Sequence, residues 1–445
     1  MAWMTSLGAL LAMLPVDAGA AGPALTLGEA EAIAIENAFD VRSAQSGLDR
    51  AATLVRAAHG ATGFHFTVGA QYMRFDQPQP MFAGGQFATI IDQRTANAAL
   101  SLLVDISGVI RQGVAAAQDQ KSAAESTLAA AKNTVRSDVR NAYFSVLSAG
   151  WGVTIRQEAL ATIRGRLDTA RRRFEAGAVA QFDVLRLEAE VVRAEAELID
   201  SRNALALAKA ALNNTLGRPI ETPFEAVEAV EVEEAIPDRP EGELVALAMA
   251  TRPEIAAADA GLRALGRIKE TERRGLLPSL ALSAQYTRTI DALRGQRENQ
   301  VVGLATLSFP VYDSGITRAR VRAAQEDENQ ARIRLDQLRL GVALQVRQAL
   351  LRLTNAREQL EVAGKLVELQ TEALRLAQLR FDVGQGILLE VNQAQTDLTA
   401  ARVSQSVARH QVLTAIAGLR LAVGTDDLAS PAPNEPTLDE KAREK

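Results

Sequence analysis

Apolar and polar positions alternate in four short stretches of the chain. Phe64, Phe66, Val68, Ala70 and Tyr72 share one parity, and Thr67, Gly69 and Gln71 take the other. Leu280, Leu282, Ala284 and Tyr286 repeat that pattern against Ser283, Gln285 and Thr287. The return strand that follows each, Ala98, Leu100, Leu102, Val104 and Ala305, Leu307, Phe309, Val311, does the same. Period-2 alternation over about ten residues predicts β-strands with one apolar face, as in a barrel strand between lipid and water. The alternation by itself favours an ordinary half-buried sheet, because each signal is weak.

After each return strand the period changes. Val135, Val139, Ala142, Val146, Ala149, Val153, Leu160, Ile163, Leu167, Ala170 and Phe174 step by three, four or seven. Val342, Val346, Ala349, Leu353, Ala356, Leu360, Val367, Leu374, Ala377 and Phe381 form a second such series. These are heptad seams for side-by-side helices, with small alanines permitting close approach. A continuous helix from Gly108 to Ala176 would be roughly 100 Å long at ~1.5 Å per residue, which predicts an elongated molecule. Gly177 and Gly384 suit the ends of the two long helices. A second helix returns from each, to Leu216 and to Val423, making two antiparallel hairpins. The first helix of the chain starts at Thr26, with Glu29 completing a capping box. Its counterpart starts near Glu243 and is interrupted at Arg252-Pro253.

The two halves are one unit written twice. Ser107-Gly108, Arg111, Ala116-Ala117-Gln118, Val184, Arg202, Leu212 and Gly217 each recur 207 residues later. Upstream the offset is 214, as between Ala70-Gln71-Tyr72 and Ala284-Gln285-Tyr286. Seven residues were gained or lost between Tyr72 and Ser101, where Pro78, Pro80 and Gly84-Gly85 predict a loop. The expected organisation is a signal peptide at 1–20, a first repeat at 21–216, a connector at 217–242, a second repeat at 243–424 and a tail at 425–445. Each repeat holds a helix, a strand pair and a helical hairpin. The connector, rich in Pro and acidic residues, reads as irregular, and the Pro-rich tail as disordered.

Composition narrows the function. The 445 residues are 47% hydrophobic but only 4% aromatic, a mixture suited to long helices. Net charge is −5 with no basic block, so no nucleic-acid partner is expected. The absence of cysteine excludes disulfides, thiol catalysis and a lipidated cysteine. His59, His65 and His410 lie in unrelated contexts, so no metal site is expected, and no cofactor motif occurs. Trp3 to Leu14 is an apolar core before Ala18-Gly19-Ala20, the pattern of a cleaved secretory signal, although no Lys or Arg precedes it. Past this segment no run of ~18 apolar residues occurs, so no spanning helix is expected.

Four strands cannot stand alone in lipid, because an open sheet leaves unpaired backbone groups at both edges, each costing several kcal/mol. Identical copies arranged in a ring would close the wall. At this point the sequence resembles the TolC-like outer-membrane efflux protein family. The residues carrying the resemblance are Leu25-Thr26-Leu27-Gly28-Glu29-Ala30 at the opening helix and Leu276-Leu277-Pro278-Ser279-Leu280 at a strand start. Phe309-Pro310-Val311-Tyr312-Asp313-Ser314-Gly315 matches the strand-to-helix junction, and the two tip motifs run from Arg173-Phe174 through Gly177 to Asp183-Val184-Leu185 and from Arg380-Phe381 through Gly384 to Glu390-Val391. The match covers nearly the whole mature chain. It implies a mainly α protein with a membrane β-barrel portion, as a homotrimer with a twelve-stranded barrel in outer-membrane lipid and an α-helical tunnel in the periplasm. A periplasmic adaptor protein would dock at the tips, and an inner-membrane transporter would supply substrate and energy. The chain itself would be a passive duct and not an enzyme.

By the same resemblance, Asp183, Glu390 and Gln393 are expected at the periplasmic aperture, facing the lumen. Arg173, Phe174, Gly177, Arg380, Phe381 and Gly384 are expected at the tips, where the adaptor docks. Ser107, Gly108, Pro310, Ser314 and Gly315 mark the strand–helix junctions. Copies of Asp183 or Glu390 would form carboxylate rings that attract cations. The blander account is a solvated first helical turn, where acids are favoured anyway. The glycines serve first as helix terminators, and the two phenylalanines fit the seam. Where the family has Tyr before the tip glycine this chain has Phe174 and Phe381, so a hydroxyl tether is missing. Leu103 stands where the second junction has Pro310, so the two bends are expected to differ. A periplasmic coiled-coil scaffold is the competing reading, but it would not need two strand pairs with an apolar face at equivalent places.

Overall fold

The structure is a computed structural model and describes residues 22–83, 86–177, 179–227, 239–290, 292 and 297–425. The expected signal segment and the tail beyond 425 lie outside the described residues. In chain order the elements are β1 (Ala24–Leu25), α1 (Leu27–Asn37), α2 (Phe39–Gly60), β2 (Phe64–Ala83), β3 (Gln86–Val104), α3 (Val109–Glu175), α4 (Gln181–Thr215) and β4 (Glu225–Ala226). Then follow α5 (Glu241–Thr251), α6 (Pro253–Arg274), β5 (Ser279–Thr289), β6 (Asn299–Ser308), α7 (Ile316–Asp382) and α8 (Leu388–Val423).

The capping box at the first helix is present. Thr26 accepts from the Glu29 amide at 3.3 Å, and the Glu29 carboxylate accepts from the Thr26 amide at 2.9 Å. Those bonds hold the Glu29 carboxyl below its ordinary pKa, chiefly through the Thr26 amide. The opening helix is broken at Ala38, whose backbone is extended (φ −59°, ψ 132°). Its counterpart breaks at Arg252 (φ −68°, ψ 122°), where Pro253 forbids the helical conformation of the residue before it. The first half therefore bends at the same place without proline, which its sequence does not announce.

The β2-β3-β5-β6 sheet is antiparallel throughout. Its register reproduces the duplication: Phe66 pairs with Leu100 and Leu280 with Leu307, while Tyr72 pairs with Arg94 and Tyr286 with Val301. The tyrosines extend the correspondence. Tyr72 donates to Asp92 at 2.9 Å and Tyr286 to Asn299 at 2.8 Å, again at equivalent positions.

Two expectations need correction. The predicted loop between Tyr72 and Ser101 is mostly strand. β2 and β3 run 20 and 19 residues, against 11 and 10 for β5 and β6. Pro78 is accommodated by the register shift between Arg74 and Gln79, and within the single chain β2 is the outer strand of the sheet. Gly84-Gly85 lies outside the described residues. The connector is not wholly irregular either. β4 pairs in parallel with β1, and α5 begins at Glu241. Residues 228–238 lie outside the described residues.

The chain divides into two compact units. One holds the described residues of 22–38, 135–227 and 353–417, including β1, β4 and both hairpin tips. In it the heptad seams are apolar cores. Val153 and Leu160 pack on Ala194 and Leu198, Leu167 and Ala170 on Val184 and Leu187, and Leu374 on Val391 and Leu398. Tyr143 is fully buried, its hydroxyl 2.8 Å from the Leu25 carbonyl oxygen and 2.6 Å from that of Val227. Arg140 pairs with Glu31 at 2.6 Å. The other unit holds the described residues of 39–134, 239–352 and 418–425, including the four-stranded sheet. Val342 and Val346 are fully buried there. Thr251 donates to the Val423 carbonyl at 2.7 Å, closing the end of α8 against the bend at Arg252.

Candidate functional site

Both hairpin tips end their long helices on a glycine in the left-handed region. Gly177 has φ 74° and its amide donates to the Phe174 carbonyl at 2.8 Å. Gly384 has φ 75°, with its amide donating to Phe381 at 3.0 Å and that of Gln385 to Arg380 at 2.9 Å. This pair of bonds is a Schellman cap, which satisfies carbonyls that a helix end otherwise leaves open.

The residues around these caps behave differently in the two tips. Phe381 packs against the Leu374–Val391–Leu398 core, whereas Phe174 is exposed. The Arg173 guanidinium lies 5.7 Å from the Phe381 ring centroid, a cation–π contact from one tip to the other. Arg380 pairs with Glu390 at 3.4 Å within the second tip. Gln393 is exposed and donates to Asp397 at 2.9 Å. Asp183 is half-buried and lines a cavity of about 640 Å³ between the tips, with Arg166, Arg173 and Phe381 among the other walls. Of the expected aperture residues, the structure therefore gathers Asp183 with the tip residues Arg173 and Phe381. Glu390 is held by Arg380 instead.

A set of polar contacts between the hairpins was not foreseen. Arg409 lies over Trp151 at 4.7 Å, Arg402 pairs with Glu158 at 3.4 Å, and Arg166 donates to Gln395 at 3.1 Å. Asn392 donates to Glu190 at 3.1 Å. Burial pulls the Arg166 guanidinium below its ordinary pKa, and the Glu190 carboxylate pushes the other way. The signal was available in the near-heptad spacing of Trp151, Glu158 and Arg166 against Arg409, Arg402 and Gln395. It was overlooked because polar heptads are usually solvated.

The two strand–helix junctions do differ. In the first, the Asp105 carboxylate accepts the Ile110 and Arg111 amides at 3.1 and 2.9 Å. In the second, Asp313 sits one place later in the repeat and accepts the Gly315 and Thr317 amides at 3.0 and 2.7 Å. Gly108 and Gly315 both have positive φ, at 73° and 84°, and at the second junction Ser314 does too, at 55°. Arg274 donates to the Ser107 carbonyl at 3.1 Å, fastening the end of α6 to the first junction. Pro310 lies just past the end of β6. Burial would raise the Asp105 pKa, but the Arg111 and Ile110 amides and the Arg111 charge outweigh it, and the carboxyl is held low. Asp313 is held low by the Thr317 hydroxyl and amide. Among the described residues no group of His, Asp and Glu is arranged to hold a metal ion, and no helix is long and apolar enough to cross a membrane.

Fold and site together define a duplicated helical-hairpin protein bearing an antiparallel sheet with two open edges. The family model described as outer membrane efflux protein matches residues 32–218 and 244–425, and the chain belongs to that family. The outer membrane efflux protein BepC of Brucella suis is 28% identical over 323 residues, covering 68% of this chain and 67% of BepC. The cobalt-zinc-cadmium resistance protein CzcC of Cupriavidus metallidurans is 25% identical over 362 residues, covering 79% of this chain and 85% of its own. Among solved structures, the CmeC outer membrane channel of Campylobacter jejuni superposes with a TM-score of 0.75 at 17% identity, over 94% of this chain and 89% of that one, a likeness of fold. The chain is thus an outer-membrane efflux component, of a kind that conducts and does not catalyse.

Proposed function

We propose that this chain forms, as a homotrimer, the passive exit duct of a tripartite export system. The observation that carries the proposal is the open four-stranded sheet. β2 and β6 each leave one edge unpaired among the described strands, a state that hydrocarbon does not tolerate. Three copies supply twelve strands, an even number compatible with a closed barrel. The mature chain would start after residue 20, with the repeats 21–216 and 243–424 supplying the wall.

The hairpin tips form the periplasmic mouth under this proposal. Arg173, Phe174, Gly177, Arg380, Phe381 and Gly384 present the docking surface for a periplasmic adaptor, and an inner-membrane transporter supplies the energy. Asp183, Glu390 and Gln393 line the aperture, where ringed carboxylates favour cations. The Arg380–Glu390 pair offsets part of that charge.

The test is conductance across planar bilayers of detergent-purified protein, with Glu390→Ala beside the native chain. Discrete channel steps are expected from both, with weaker cation preference in the variant. A stable trimer that conducts in neither form would favour a periplasmic scaffold.

A further inference from the structure

The second strand–helix junction carries more positive charge than its fold requires. Arg318 and Arg322 stand one turn apart near the start of α7, and both are exposed. With Thr317 and Val321, and with Arg273 and Leu276 from the end of α6, they line an open cleft of about 290 Å³. Lys269 on α6 pairs with Glu328 on α7 and holds the two walls together. A helix N-terminus is itself positive, so arginines there are disfavoured unless an anion faces them. The chain supplies little of that anion. The first turn of α7 has no acidic residue, and Asp313 turns its carboxylate to the Gly315 and Thr317 amides. Among the described residues neither the Arg318 nor the Arg322 guanidinium is paired. Glu270 reaches Arg273 only at 4.0 Å, and that arginine side chain is 77% exposed. The first repeat builds its junction without the cluster. There the positions equivalent to Arg273, Arg318 and Arg322 are His59, Arg111 and Ala115, and Arg111 pairs with Asp105 at 3.4 Å.

Exposed apolar side chains flank these arginines along the chain. Leu276 and Leu277 lead into β5, and Phe309, Val311, Tyr312 and Ile316 lead from β6 into α7. Val311 and Tyr312 are 83% and 85% exposed. Arginines beside an apolar and aromatic margin are the composition of a membrane–water boundary. We propose that the cleft binds the phosphate of an anionic phospholipid in the leaflet facing the periplasm. The proposal rests on the reading above that the sheet lies in outer-membrane lipid, since β5 begins at Ser279 and β6 ends at Ser308, both at this junction. Arg273, Arg318 and Arg322 offer forked N–H donors that match phosphate oxygens. The apolar margin lies on the side of the sheet, where the acyl chains run. A free phosphate ion would engage the arginines alone and leave Leu276, Leu277 and Tyr312 in water, whereas a lipid occupies both parts of the surface.

The test is native mass spectrometry of the detergent-purified full chain with added phosphatidylglycerol, phosphatidylcholine or inorganic phosphate. The native chain is expected to retain phosphatidylglycerol in preference to phosphatidylcholine. Arg318→Gln combined with Arg322→Gln is expected to weaken that retention roughly thirtyfold, from about fivefold per arginine at a charged membrane surface. Arg320 is also exposed but does not line the cleft, so Arg320→Gln is expected to bind as the native chain does. No preference for phosphatidylglycerol in the native chain, or a loss in Arg320→Gln as large as in the paired variant, would overturn the site. Inorganic phosphate binding as strongly as the lipid would overturn the phospholipid as its occupant. Light scattering of each sample separates this failure from that of the ring. An intact trimer without lipid preference overturns the cleft and leaves the ring. A particle of one chain that stays dispersed without detergent would overturn the ring, and the lipid site with it.

Discussion

At the scale of single residues, the structure depends on a few positions with unusual backbone or buried polar contacts. Gly217 has φ 68°, and a β-carbon there would lie 2.9 Å from the Asn37 carbonyl oxygen. Gly217→Ala meets both left-handed strain and that close approach, so a loss of at least ~1–2 kcal/mol is expected, read by thermal melting. Tyr143→Phe leaves the Leu25 and Val227 carbonyls without their buried hydroxyl and should cost ~1–3 kcal/mol. Unchanged melting would contradict the clamp. Asp105 and Asp313 have depressed pKa values in the folded state. Their stabilisation is therefore complete above the ordinary carboxylate range and is lost as pH falls through the folded-state values. Hydrogen exchange at the Ile110, Arg111, Gly315 and Thr317 amides should accelerate on acidification, and Asp313→Asn should flatten that response at the second junction. The tip glycines and the Thr26–Glu29 box were legible from residue type, because their roles are local. Tyr143 was not, since nothing near it in sequence shows that Leu25 and Val227 approach it.

At the scale of elements, heptad cores and polar ties have different energetic weights. Leu187 is almost wholly buried in the first hairpin core, and Leu187→Ala should cost ~2–5 kcal/mol through lost burial and the cavity left behind. Arg402→Ala removes a largely exposed pair with Glu158 and should change melting by no more than ~1 kcal/mol. Equal effects of the two would contradict the greater weight of the buried apolar seam over the exposed polar tie. The long helices, their direction and their seams were readable because a 3.5-residue period over many turns has few competing explanations. The first strand pair was misjudged because Pro78 and Pro80 signal loops in most settings. The register shift between Arg74 and Gln79, a tertiary fact, is what makes a proline compatible with the strand there. The bend at Ala38 was likewise hidden, since its proline-bearing counterpart at Pro253 carries the only local signal.

At the scale of the whole molecule, one chain supplies a sheet that is complete except at its two margins and two helices, α4 and α7, that leave large apolar side chains such as Val192 and Leu369 exposed. Backbone hydrogen bonding and side-chain burial ask for the same thing, further copies on both flanks. The number of copies was never legible in one sequence, because a single chain shows its unsatisfied edges but not the rotation that closes them. The most direct measurement is the protein mass of the particle extracted from outer membranes into mild detergent, by light scattering corrected for bound detergent. Three chains per micelle-bound particle is the predicted result. A single chain that remains dispersed after the detergent is removed would contradict it.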